Sequence, residues 1–111
     1  MTAEIASKIR ASAEASFASG LFCAESVLLA LARDQGLENE FFPKIASGFC
    51  NGMARTCGTC GAVTGAIMGL GLFLGRSQPD ESIQPVYVAT ERFIGEFERA
   101  FGSRDCHVLL G

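Results

Sequence analysis

Apolar residues recur along this chain at intervals of three and four, and no stretch alternates with a period of two for long, so the pattern predicts helices throughout. Residues 2–18 are rich in Ala, with Ile5, Ile9, Ala13 and Phe17 spaced by four; Ser19-Gly20 ends that helix. Residues 22–35, FCAESVLLALARDQ, form a stronger one, with Ala24, Val27, Leu28 and Leu31 on one stripe and Gly36 as its stop. Residues 38–50 read as a third helix, in which Pro43 suits the first turn, and Asn51-Gly52 reads as a turn. A fourth helix is expected to begin between Arg55 and Gly58 and to run to about Gly75, buried on most sides. A fifth starts at Pro79, where Asp80 and Glu81 complement the helix dipole, or at Pro85. It carries Val86, Phe93, Phe97 and Ala100 up to the stop at Gly102-Ser103. Phe93, Phe97 and Phe101 fall at helical spacing and are expected in the core. Residues 105–111 are a short tail. The expectation is an all-α, single-domain bundle over residues 1–111, with about five helices around a buried, Gly-rich central helix.

That central segment, RTCGTCGAVTGAIMGLGLFLGR, raises a membrane question. Thr56 to Gly75 is uncharged and long enough to span a bilayer. Its strongly apolar part, Ala62 to Leu74, is short, and neither end carries Trp or Tyr. The amphipathic helices around it need an apolar partner to cover them. The segment is therefore read as the middle of a bundle, not as a membrane span. Gly61, Gly65 and Gly69 fall at intervals of four. They make one face that a second helix can approach closely, from this chain or from a second copy in a homodimer.

Composition narrows the function. The 111 residues are 49% hydrophobic and 19% charged, as in a globular domain, and the net charge is -3 with scattered Lys and Arg. No basic stripe offers a footprint for a phosphate backbone, so nucleic acid is not an expected partner. The N-terminus carries Glu4, Lys8, Arg10 and Glu14 and no apolar signal-peptide core, which makes the cytoplasm the expected location. Five cysteines in a reducing compartment argue for reactive thiols or metal ligands.

Cys57-Gly58-Thr59-Cys60 is a CxxC motif placed just after a turn and just before a helical run. A thiol in the first turn of a helix faces unpaired N–H groups and the positive end of the dipole, which favours thiolate, and a second thiol three residues on can resolve a mixed disulfide. The pair is read as the candidate redox couple, with Cys57 reacting first. The βαβ context of thioredoxin-like proteins is missing. A c-type haem needs CxxCH, and residue 61 is Gly. A zinc ribbon needs a second spaced pair, and only the adjacent Cys106-His107 is on offer. Iron–sulfur ligation by several of the thiols stays open. Cys50, beside Phe49, is read as packing, and His107 as a surface histidine.

Three stretches carry a resemblance: FCAESVLLALARDQGL (22–37), ASGFCNGMARTCGTCGAVTGAIMGLGL (46–72) and FGSRDCHVLLG (101–111). With CGAxxG present as Cys60-Gly61-Ala62-Val63-Thr64-Gly65, they resemble the C_GCAxxG_C_C family, described as redox-active because of its shared cysteines. The resemblance implies that Cys23, Cys60 and Cys106 are the family cysteines and that the fold gathers them. A further family cysteine beyond Cys106 has no counterpart in residues 1–111. The resulting expectation is a thiol redox protein, a thiol-disulfide oxidoreductase if it is an enzyme, working through Cys60, Cys57, Cys23 and Cys106. A metal- or cluster-binding helical protein and a helical interaction module without catalysis are the alternatives. No cofactor and no particular redox partner is indicated.

Overall fold

A computed structural model of the chain describes residues 2–110. Its helices are α1 (Ala3–Ala18), α2 (Cys23–Asp34), α3 (Phe41–Ala46), α4 (Cys50–Arg55), α5 (Gly61–Leu74), α6 (Gln84–Phe101) and α7 (Cys106–Leu110), with a 3-10 turn over Ser47–Phe49. The all-α single-domain reading holds, and among the described residues the only pairing of extended backbone is one isolated bridge.

α2 is the hub: it packs most extensively on α5 and also contacts α1 and α3. Its sequence explains this. Ala24, Ser26, Leu28, Leu29, Ala30 and Ala32 are all buried, so small residues are available on more than one side. The start of α2 is held by Glu25, whose carboxylate accepts from the Phe22 N–H (2.9 Å) and from the Ser47 hydroxyl (2.7 Å). Those hydrogen bonds, the one from Phe22 first, hold the Glu25 carboxyl below its ordinary value.

The glycine face of α5 is filled by α2. A Cβ at Gly65 would lie 2.7 Å from the Ala24 carbonyl oxygen, and one at Gly69 would collide with Leu31. Val27 packs on Gly65 as well. The second helix on this face therefore comes from the same chain, and the face is not open to a second copy. α5 is buried or half-buried from Gly61 to Leu70, while Gly71 to Gly75 are exposed. Leu28 and Val63 are the largest fully buried side chains.

Several boundaries differ from expectation. The third helix does not run to residue 50. α3 ends at Ala46, the chain tightens into the 3-10 turn, and Cys50 turns extended (ψ 153). Gly48 lies in this stretch and has little to hold it helical. α4 is then a single left-handed turn. Asn51 (φ 56, ψ 43), Gly52 (65, 57), Met53 (59, 59) and Ala54 (58, 41) are all left-handed, and Arg55 follows at φ 67. Each non-Gly residue there costs roughly 1–2 kcal/mol against the right-handed form. α5 begins at Gly61 rather than between Arg55 and Gly58. Residues 58–60 are withdrawn from it by pairing with residues 104–106. α6 starts at Gln84 with Pro85 in its first turn, and Cys106–Leu110 of the expected tail are helical.

The three phenylalanines of α6 correct another expectation. Phe93 and Phe97 are only partly buried, Phe101 is 63% exposed, and no residue of α6 is fully buried. The rings form a ladder along the helix, with centroids 6.0 Å apart for Phe93–Phe97 and 4.7 Å for Phe97–Phe101. The reason is that, among the described residues, α6 leans mainly on α5, from one side.

Candidate functional site

Cys23 is the first residue of α2. Its Sγ accepts the Asn51 N–H at 3.5 Å and rests on Gly61, where a Cβ would collide with it. Gly61, the first residue of α5, thus lets the thiol sit directly on the helix start.

Cys60 is the N-cap of α5, with φ -51 and ψ 134. Its N–H donates to the Arg104 carbonyl at 2.6 Å, and the Cys106 N–H donates to the Gly58 carbonyl at 3.0 Å. These two bonds enclose the antiparallel bridge between Thr59 and Asp105. Side chains alternate in direction along extended backbone. Cys60 and Cys106 therefore project from the same face of the bridge, opposite to Thr59 and Asp105, as diagonal neighbours. Cys106 opens α7 and packs on Gly52, where a Cβ would come within 2.6 Å of the Cys106 Cβ and 3.4 Å of its Sγ. Gly52 is needed twice: for its φ of 65 and for the space Cys106 takes.

The electrostatics agree with this gathering. Partial burial pushes the Cys106 thiol above its ordinary value, and negative charge on Cys60, Cys23 and Cys57, in that order, pushes it further. α2 and α5 both begin at this pole.

The other two cysteines differ. Cys57 is exposed at φ 63 and lies outside α5. The expected placement of Cys57 in the first helical turn is corrected: that position passes to Cys60, and the extended backbone of 58–60 removes the helical spacing of the CxxC pair. Cys50 is 4% exposed and belongs to the core with Ala24, Leu28 and Ala46, as expected. Its thiol donates to the Ala46 carbonyl at 3.6 Å, and burial pushes its pKa up. His107 is exposed, as is Arg55.

All five cysteines are free thiols. Among the described residues, no group of three or more His, Cys, Asp or Glu side chains is arranged to hold a metal ion. Among the same residues, no helix is long and apolar enough to cross a membrane.

Sequence reasoning missed the parts that assemble the pole. The Thr59–Asp105 bridge and the left-handed turn that brings the Asn51 N–H to Cys23 and Gly52 to Cys106 were not foreseen. Asn51-Gly52 carried a signal, since both residues tolerate positive φ, but Met53, Ala54 and Arg55 carried none.

A family model described as "Putative redox-active protein (C_GCAxxG_C_C)" matches residues 21–111, a stretch that includes all five cysteines. No curated protein and no solved structure matches the chain significantly.

Proposed function

The chain belongs to the C_GCAxxG_C_C family of redox-active proteins, and from that premise we propose that it is a thiol-disulfide oxidoreductase whose central thiol is Cys60. The observation that carries the reading is the convergence of Cys60 and Cys106 on one face of the Thr59–Asp105 bridge, with Cys23 seated on Gly61 next to them. Cys60, the N-cap of α5, stands between the other two thiols, as a thiol that both attacks and leaves must. Cys106, held mainly as thiol, serves as its exchange partner, and Cys23 supplies a second partner from the other side. Cys57, exposed at the rim, is an outer thiol open to exchange with a partner. Two thiols losing two electrons and two protons become one disulfide, and the partner disulfide takes them up. A reducing cytoplasm suits this cycle, because it returns the thiols after each turnover.

Mild oxidation followed by non-reducing peptide mapping tests the proposal. The expected products are Cys60–Cys106 or Cys60–Cys23 bridges, absent in Cys60→Ser and retained in Cys57→Ser. If no intramolecular disulfide forms, and a metal in the anaerobically purified protein shields the thiols from alkylation, the metal-site reading replaces this one. If all five thiols react alike with no preferred bridge, the interaction-module reading does.

A further inference from the structure

A cleft of about 410 Å3 lies between α1 and α2. Ala13, Phe17, Ala18 and Val27 make its wall apolar, Glu14 lies on the α1 side, and Cys23 forms part of the α2 side. Ser26 also lines it, is 2% exposed, and has a hydroxyl with no hydrogen-bond partner. A buried hydroxyl left unpaired calls for an explanation, and a ligand atom in the cleft would supply one. α1 lies outside the stretch matched by the family model, so this wall is an addition to the family's cysteine-bearing part.

We infer that the cleft between α1 and α2 binds the uncharged apolar arm of an organic disulfide and presents its sulfur to Cys23. This names the substrate class of the proposed redox site and rests on that reading. The apolar wall takes an aromatic or aliphatic arm and disfavours an anionic one, which it cannot solvate, and Ser26 pairs with a polar atom on the arm; Glu14, exposed and 3.9 Å from Arg10 Nε, adds only a screened charge at the rim. The Cys23 thiolate attacks one sulfur of R–S–S–R′. The S–S bond breaks, R′S⁻ leaves and takes a proton, and Cys23–S–S–R forms with R in the cleft. The Cys60 thiolate then attacks the Cys23 sulfur, RS⁻ leaves and takes a proton, and a Cys23–Cys60 disulfide remains. Two protein thiols are oxidised, and one substrate disulfide is reduced to two thiols.

The test uses the full chain carrying Cys60→Ser, which traps the first adduct. It is treated with dithiodipyridine, an uncharged aromatic disulfide, or with dithiobis-nitrobenzoate, a dianionic one, and adducts are located by peptide mapping. Dithiodipyridine should modify Cys23 about tenfold faster than the dianion does, relative to their rates at Cys57, and Ala13→Phe, which fills the cleft, should remove that advantage. Glu14→Lys, an exposed change that leaves the core intact, should raise the dianion's rate at Cys23 only modestly. Equal relative rates at Cys23 for both reagents, or a preference unaffected by Ala13→Phe, overturns the inference. Selective modification of Cys23 without any bridge once Cys60 is restored keeps the cleft and sinks the redox reading; bridges without selectivity do the reverse.

Discussion

Single thiols in this protein sit in environments that set their pH behaviour. Burial raises the Cys50 pKa in the folded state above its unfolded value of about 8.5. A thiol with a raised folded pKa contributes stability that is fully present below the unfolded value and is lost as pH rises through the folded one. Urea midpoints should therefore fall above about pH 8.5, and Cys50→Ala should flatten that fall while lowering stability at neutral pH. An equally steep alkaline decline in the variant would remove Cys50 as the cause. Cys106 shares the direction of shift, from partial burial and from the thiols around it. Its alkylation by iodoacetamide should keep accelerating beyond about pH 8.5, the ordinary thiol value. A plateau below that pH would mean that the thiol is not held back by its neighbours.

Within α5, glycines of one sequence type do opposite work. A Cβ at Gly65 meets the Ala24 carbonyl oxygen at 2.7 Å, and backbone cannot swing away as a side-chain tip can. Gly→Ala in a helix gains about 1 kcal/mol of propensity, but overpacking of this kind costs roughly 1–3 kcal/mol. Gly65→Ala should therefore destabilise, and the larger Gly65→Leu more so. Gly71 has nothing within 4 Å of a built Cβ and lies on the exposed end of α5. Gly71→Ala should stabilise by up to about 1 kcal/mol. Thermal melts of the pair check this, and an unchanged melting temperature for Gly65→Ala would show that α2 does not press on that face. In α4 the logic reverses. Ala54 is exposed at φ 58, so Ala54→Gly should relieve about 1 kcal/mol of left-handed strain. A loss of stability there would contradict the left-handed turn. Strain of this kind beside a reactive pole is a recurrent feature of functional sites, and here it aims one N–H at Cys23 and one glycine at Cys106.

At the scale of the molecule, burial is uneven. α2 and the first part of α5 form the dense centre, while α6 has no buried residue among those described and rests mainly on α5. Few buried apolar contacts mean a low cost of local opening. Hydrogen exchange should therefore show the α6 amides opening well before those of α2, in a separate step. Amides of α6 protected to the level of α2 would mean that another surface covers the helix. The cysteine pole draws on both regimes. Cys23 and Cys60 stand at the starts of the dense helices, whereas Cys106 comes from the short segment after α6.

Local pattern was enough to read the long helices and to mark the glycine face as a place of close approach, but not to say which helix fills it. Ala24, Val27, Leu28 and Leu31 share a stripe because of helical periodicity alone, and glycines spaced by four leave room for such a stripe whatever else the chain does. The choice of Cys23, Cys60 and Cys106 came from the family resemblance around CGAxxG, since spacing alone singled out only the Cys57–Cys60 pair. What lay outside the sequence came from contacts between distant residues. Residues 58–60 have an apolar helix directly after them, yet they leave it to pair with residues 104–106. No local propensity records a partner more than forty residues away. The same holds for Met53, Ala54 and Arg55, whose side chains favour the right-handed form and whose left-handed turn is imposed from outside. Phe93, Phe97 and Phe101 show the converse. Their spacing specifies a helix face, but whether that face is covered depends on how many elements surround it, and among the described residues α5 is the main neighbour.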